Sequence, residues 1–332
     1  MATAFTDLLG IDTPVVQAPI GGLAQPELAA AVSNSGALGM LALTWLDVNE
    51  VGASVERTRT LTDRPFGVNL VLVWPQEARL RAALDAGAGF VSLCWGDPTP
   101  YLPAIRDSGA ISAVTVASAS EARAAADLGI DVIVAQGWEA GGHLLGDIAT
   151  LPLIPAVVDA VHPVPVVAAG GLGDGRGLAA VLSLGASAGW FGTRFVMCEE
   201  AAALPGYRDL LARASETSTL YSTLFDIGWP DAPHRVLRTA MTDDWERAGR
   251  PAPGSRPGEG DVVGRWDDGT EIPRYDTTSP RVGVEADVED LSLWAGQSVG
   301  VISDVMPAAE IVRRIVEDAR EALGSAASLF ES

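Results

Sequence analysis

From residue 14 to about 198, short β-branched apolar runs alternate with alanine-rich stretches of helical spacing. The runs at 14–18, 37–43, 66–71, 90–94, 111–116, 131–136, 165–169 and 188–192 are largely apolar throughout rather than alternating, which predicts strands buried on both faces. Between them, 26–35 begins with a proline that suits a first helical turn, and 47–61 begins at Asp47, a good N-cap. The stretch 118–128 carries Ser118 and, three residues on, Glu121, the spacing of a capping box. Eight strand-plus-helix units within about 190 residues suit a closed (β/α)8 TIM barrel, an α/β fold, better than an open doubly wound sheet of about five to seven strands. A flavodoxin-like or Rossmann sheet is the alternative, but GGLGDGRG at 170–177 contains no G-x-G-x-x-G register.

Beyond residue 198 the pattern changes. Helical spacing is expected at 206–214, 234–246 and 287–298, and again at 307–323, where Ile311, Val312, Ile315, Val316 and Ala319 share one face. Between these lies RPAPGSRPGEGDVVGRWDDGTEIPRYDTTSP, dense in proline, glycine and charge, with Trp266, Ile272 and Tyr275 available for burial. A long loop of this kind predicts an irregular lid over the barrel mouth. The expected division is a barrel at 1–204, a lid at 205–286 and a segment at 287–332 that returns to the barrel and closes its outer ring with the last helix.

Composition narrows the function. The 332 residues are 48% hydrophobic, enough for a large core, and the net charge of -21 argues against nucleic acid or an anionic membrane as partner. All 22 basic residues are arginine, so Schiff-base and Walker-type lysine chemistry are excluded. Cys94 and Cys198 stand far apart in apolar surroundings, which predicts neither a disulfide nor a metal site. No secretion signal and no apolar run of about 20 residues is seen, so a cytoplasmic protein is expected, with a homodimer left open.

The candidate chemistry centres on DVIVAQGWEAGGHLLG at 131–146, a buried strand that feeds a glycine-rich loop. Gly141 and Gly142 let the backbone pass close to a ligand and set His143 just past the strand's carboxyl end, with Glu139 nearby. In a parallel α/β protein, that is where active sites form. A core histidine with its hydrogen bonds satisfied is the plain alternative. Ala168, Ala169, Gly170 and Gly171 end the seventh run, and Gly192 and Thr193 end the eighth. Loops after strands seven and eight commonly hold a phosphate through backbone N–H groups, which needs no basic side chain. Asn69, polar inside an apolar run, requires a partner from a ligand or from neighbouring backbone.

The set QAPI (17–20), GVNL (67–70), AQGWEAGGH (135–143), AAGGLGDG (168–175), GTRF (192–195) and WAGQSVG (294–300) resembles the nitronate monooxygenase family, also called 2-nitropropane dioxygenases, over nearly the whole chain. Single pieces are shared with related flavoenzymes, the FMN-dependent enoyl-acyl-carrier-protein reductases and NADH:quinone reductases. The resemblance implies FMN at the C-terminal mouth of a (β/α)8 barrel, with a smaller domain over the substrate. By matching motifs, Ala18 and Pro19 would run along the isoalloxazine, and Asn69 and Gln136 would hydrogen-bond the flavin or its ribityl chain. Gly170, Gly171, Gly192 and Thr193 would take the phosphate, Gly141 and Gly142 would flank the cofactor, and Gln297 would meet the flavin from the C-terminal segment. His143 matches the family's active-site histidine.

One departure stands out. Many relatives carry a lysine in the fifth strand near the flavin, where ISAVTVAS offers Ser112 or Thr115. The implied reaction is oxidation of an alkyl nitronate, or of a nitroalkane, by O2 to a carbonyl compound and nitrite. His143 would stabilise the nitro oxygens or take the α-proton, with Tyr275 as a second donor. Two other functions stay open: an NAD(P)H-dependent quinone or enoyl reductase, and a non-redox barrel that binds a phosphorylated metabolite. Flavin colour separates the latter from both redox readings.

Overall fold

A computed structural model describes residues 1–330. Eight strands form one parallel sheet: β1 Val15–Gln17, β2 Gly39–Ala42, β3 Phe66–Val71, β4 Phe90–Cys94, β5 Ile111–Val116, β6 Val132–Gln136, β7 Val166–Ala169 and β8 Ala188–Phe191. Their order is β1-β8-β7-β6-β5-β4-β3-β2, each strand beside its sequence neighbours. The two edges then meet. Leu38 N–H donates to Val15 O at 3.0 Å and Gln17 N–H donates to Leu38 O at 3.0 Å, which closes the barrel.

Gln17 reinforces that seam. Its side chain is fully buried, its Oε1 accepts from Met40 N–H at 2.9 Å, and its Nε2 donates to Met40 O at 3.2 Å. The amide thus supplies two ladder-like bonds where the short edge strands supply few. Val16, Met40, Phe90, Val132, Val134, Val167 and Trp190 pack inside the barrel, while a larger apolar layer lies between the sheet and the helices.

The helix at Ala308–Ser328 buries Ala308, Ile311, Val312, Ile315, Val316 and Ala319, the face expected from the sequence, and runs beyond the expected end at 323. It packs against the helices Gly175–Ser183 and Pro26–Asn34, one on each side of the gap after β8. It therefore occupies the eighth place in the outer ring. Each fully buried Ile or Val in it contributes about 1.5–3 kcal/mol relative to exposure.

Other expectations are corrected. The stretch 234–246 is not one helix: His234–Leu237 is a strand, and a helix begins only at Ala240–Arg247, behind Thr239, whose N–H donates to Thr242 Oγ1 at 2.9 Å. All four strand residues are buried because the strand pairs on both sides, with Thr219–Ser222 and with Gly142–His143. The stretch 287–298 is not a helix either: Leu237 N–H donates to Leu293 O at 2.8 Å and Ala295 N–H to Arg235 O at 3.3 Å, the cross-chain bonds of extended chain. Short 3-10 turns at Val288–Asp290 and Gln297–Val301 flank it.

The proline-rich region is more regular than expected, with Val262–Trp266 paired antiparallel to Glu271–Pro273 and Val284–Ala286. Ser118 caps its helix, but Glu121 closes the motif one residue early, accepting from Ala117 N–H at 2.7 Å. Among the described residues, no helix is long and apolar enough to cross a membrane.

Replacing Gln17 by Leu should leave Met40 N–H and C=O buried without partners at the seam. The expected cost is about 1–3 kcal/mol for each group, read as a lower urea midpoint with an unchanged slope. An unchanged midpoint would mean that the backbone bonds alone close the barrel.

Candidate active site

A cavity of about 470 Å³ opens where the barrel strands end. Ala18, Pro19, Asn69, Gln136, Gly141, Gly142, His143, Gly170, Gly171, Gly192 and Thr193 all line it. Thr115 also lines it, at the end of β5, whereas Ser112 is bonded to Asp131 at 2.6 Å away from it.

The histidine loop is held from several sides. Gly137 N–H donates to Ala169 O at 2.8 Å, tying the loop to the end of β7. Gln136 donates from Nε2 to His143 O at 3.1 Å and accepts at Oε1 from Leu145 N–H at 3.1 Å. Its carboxamide oxygen and one N–H therefore serve to fix the loop, a use the sequence did not suggest. The Glu139 carboxylate accepts from the N–H and hydroxyl of Thr150, both at 2.8 Å, and Glu139 O accepts from Gln297 N–H at 3.0 Å. Gly142–His143 then forms the edge of a three-stranded sheet, with His143 opposite His234 and Gly142 opposite Arg235.

This places the His143 imidazole in an aromatic chamber. Its ring stacks on Trp229 at 3.9 Å between centroids and 21° between planes, with Trp294 at 5.0 Å and Trp95 edge-on at 6.2 Å. Burial pushes its pKa down to about 3, and His234 adds to the same direction. Nε2 is buried with no hydrogen-bond partner among the described residues. A neutral imidazole with a free nitrogen can accept or donate a proton to a ligand in the cavity, which a salt-bridged histidine cannot.

His234 differs. Its Nε2 accepts from Phe225 N–H at 3.3 Å while Nδ1 faces Ala232 O at 2.9 Å, so the backbone fixes a neutral tautomer; burial pushes it down to about 4.

Asn69 donates from Nδ2 to Ser92 O at 3.1 Å, and its Oδ1 has no partner among the described residues. The Cys94 thiol beside it is pushed up to about 12 by burial, so it stays protonated and inert. At the other side of the mouth, Gly170 and Gly171 have φ of 99° and 75°. A Cβ on Gly170 would sit 2.7 Å from Gly137 O, so this turn must stay bare. Thr193 opens a short helix, and its Oγ1 accepts from Gly296 N–H at 3.0 Å.

Two expected residues lie elsewhere. Tyr275 is buried in an apolar cluster with Phe225, Met241 and Trp245, and its hydroxyl donates to Pro257 O at 2.5 Å. It does not line the cavity, so it is not the second donor; the apolar surroundings that drew it in are the reason. Gln297 is also outside the lining, although its neighbours Gly296 and Ser298 are in it, because its N–H is spent on Glu139 O.

Sequence reasoning passed over the tryptophans and Arg281, which lines the cavity. A signal existed for some of them: Trp45, Trp74 and Trp95 each fall just past the ends of β2, β3 and β4. For Arg281 there was none, since only the folded chain reveals which arginines lack an acid.

A family model described as nitronate monooxygenase matches residues 2–80 and 74–318. The nitronate monooxygenase of Pseudomonas aeruginosa is 34% identical, over 96% of this chain and 100% of that one. The (3aS,4S,5R,7aS)-5-hydroxy-7a-methyl-1-oxo-octahydro-1H-indene-4-carboxyl-CoA dehydrogenase of Rhodococcus jostii is 35% identical over 75% of this chain and 69% of its own length. Among solved structures, FabK from Thermotoga maritima superposes with a TM-score of 0.81 at 29% identity, over 99% of each chain. The nitroalkane oxidase from Streptomyces ansochromogenes does so with 0.78 at 28% identity, over 97% of this chain and 99% of that one.

The buried neutral histidines make stability depend on pH. In the fold, His143 and His234 take up no proton until pH falls to about 3 and 4, whereas unfolded histidine protonates near 6.5. Their depressed values stabilise the folded state fully above about pH 6.5, and this contribution declines as pH falls through the window below it. The melting temperature should drop between about pH 7.5 and 5, and less steeply in His143→Gln. Equal slopes in the two proteins would overturn the neutral, buried assignment of His143.

Proposed function

The chain belongs to the nitronate monooxygenase family and is an oxidoreductase, and on that premise we propose that it oxidises alkyl nitronates with O2, using FMN bound at the barrel mouth. The observation that carries this reading is the meeting, in one cavity, of a bare glycine cradle and a buried neutral imidazole with a free nitrogen.

The residues present fit the cofactor. Gly170 and Gly171 leave a turn that a Cβ would fill, and Gly192 and Thr193 begin a short helix beside it. In a chain without lysine, backbone N–H groups would take the FMN phosphate there. Ala18 and Pro19 would border the ring, and the free Oδ1 of Asn69 would accept from a ring or ribityl donor. FMN supplies, when bound, an electron acceptor that O2 can reoxidise.

The protein's share is positioning and proton control. Trp229 and Trp294 hold the imidazole in a dry chamber, where its hydrogen bonds to a substrate are stronger than in water. For a nitroalkane, a ring nitrogen of His143 would accept the α-proton; for a nitronate, the imidazole N–H would donate to a nitro oxygen. A nitronate's negative charge raises the pKa of the imidazole beside it, which draws a proton to the place where it is needed.

The superposition with FabK favours one second reading, an NAD(P)H-dependent quinone or enoyl reductase on the same scaffold. The first reading yields a carbonyl compound and nitrite; the second consumes NAD(P)H as a quinone or enone is reduced.

The purified protein should be yellow and release FMN on denaturation, and Gly171→Asp should be colourless, since it adds bulk and negative charge at the cradle. A protein that stays colourless in added FMN would end the flavin reading.

His143→Ala should keep its FMN, while nitronate-dependent oxygen uptake falls by about 10²-fold or more. Normal turnover per bound FMN would sink the catalytic assignment. Rapid anaerobic bleaching by NADH, with no response to a nitronate, would favour the second reading.

A further inference from the structure

The cavity has two unlike ends beyond His143. One is a box of indoles. Trp229 stands 5.1 Å from Trp95, 5.3 Å from Trp74 and 6.2 Å from Trp45, all edge-on or tilted. Trp45 keeps 55% of its surface exposed at the mouth, and Trp95 is held at φ 61°, a conformation that a bulky residue rarely adopts. Backbone strain of that kind persists only where the surroundings impose it, and here it accompanies an indole that lines the cavity.

The other end is Arg281. Its guanidinium lies 4.6 Å over the Trp266 ring and donates to Gly22 O at 3.4 Å. No carboxylate pairs with it among the described residues, although the chain has 43 acidic residues against 22 basic ones. Among the described lining residues Arg281 is the one arginine and there is no aspartate or glutamate, so the cavity wall carries a positive charge that no acid there neutralises. Ser279, buried beside the same wall, offers a hydroxyl with no hydrogen bond among the described residues.

The two ends are joined by the turn after β1. A Cβ on Gly21 would touch Trp45 at 3.3 Å, and one on Gly22 would strike Arg281 at 2.4 Å. The indole box and the guanidinium thus flank successive residues of one turn.

We propose that the cavity takes an amphipathic acid, whose ring-bearing or branched apolar body lies in the box of Trp45, Trp95 and Trp229 and whose carboxylate is held by Arg281. Flat indole faces favour rings over short alkyl chains, and a guanidinium holds a carboxylate through two parallel N–H bonds. This rests on the reading of the cavity as the substrate site and names the class of substrate it selects.

Calorimetric titration in excess FMN tests it with unreactive probes: 2-naphthoate, its neutral counterpart 2-naphthalenemethanol, and acetate. Naphthoate should bind about 10- to 100-fold more tightly than the alcohol, the range for a hydrogen-bonded charge, and acetate should bind weakest. Arg281→Met should erase the margin between naphthoate and the alcohol, Arg281→Lys should restore part of it, and Trp95→Ala should weaken both aromatic probes alike.

Equal affinity for naphthoate and the alcohol, or a margin that survives in Arg281→Met, would overturn the proposal. So would an Arg281→Met protein that loses FMN affinity but binds naphthoate normally, which would give the arginine to the cofactor's phosphate. Binding needs no turnover, so a protein that holds naphthoate yet oxidises no nitronate refutes the proposed reaction and leaves this assignment intact.

Discussion

The loop after β6 and the segment at 294–298 cross at a separation that only glycine permits. A Cβ on Gly141 would lie 2.4 Å from Gly296 N, and one on Gly296 would lie 2.8 Å from Glu139 O. At this crossing Gln297 N–H reaches Glu139 O, Gly296 N–H reaches Thr193 Oγ1, and the Glu139 carboxylate caps the helix Thr150–Val161. The position of His143 and the shape of the glycine cradle are therefore set together, by chain segments some 150 residues apart in sequence. A side chain at either glycine would push the C-terminal segment off the mouth and release the cradle with it.

The electrostatics follow from what that crossing encloses. His143 sits among Trp229, Trp294 and Trp95, groups that solvate charge poorly, and its nearest ionisable neighbour is another buried imidazole. A resting imidazolium is therefore disfavoured, and protonation is coupled to the arrival of an anion. Arg235 reinforces the arrangement without entering the cavity lining: its guanidinium stacks 4.9 Å from the Trp138 ring and donates to Trp138 O at 2.9 Å. Thr115 on β5 is uncharged, and among the described lining residues the fixed positive charge is Arg281, on the wall supplied by the C-terminal half.

Much of this was legible in the residues. Phe66–Val71, Phe90–Cys94 and Ile111–Val116 are the strands the apolar runs predict, because a strand buried on both faces leaves no other reading of such runs. The glycine pairs and the histidine that follows a buried strand all reach the cavity, since tight βα turns are written in local chemistry. The failures are non-local. HRVL at 234–237 reads as part of a helix until Gly142–His143 is there to pair with it, and 293–295 takes extended form because Leu237 N–H reaches Leu293 O and Ala295 N–H reaches Arg235 O. Tyr275 looked like a lid donor because its loop is polar, yet its ring found an apolar cluster and its hydroxyl a carbonyl.

The ring of helices shows how the two halves of the cavity are built. The eighth helix of the ring is Ala308–Ser328, so the whole excursion from about 205 to 307 lies within the last βα unit. The barrel supplies the wall of Ala18, Asn69, Gly170 and Gly192, whose positions follow from strand register and cannot change without disturbing the sheet. The excursion supplies Trp229, Trp266, Arg281 and Trp294, held by short strands and turns that can change while both flanking barrel elements stay in place. A barrel wall of this kind constrains the chemistry, whereas the excursion sets what is admitted to it.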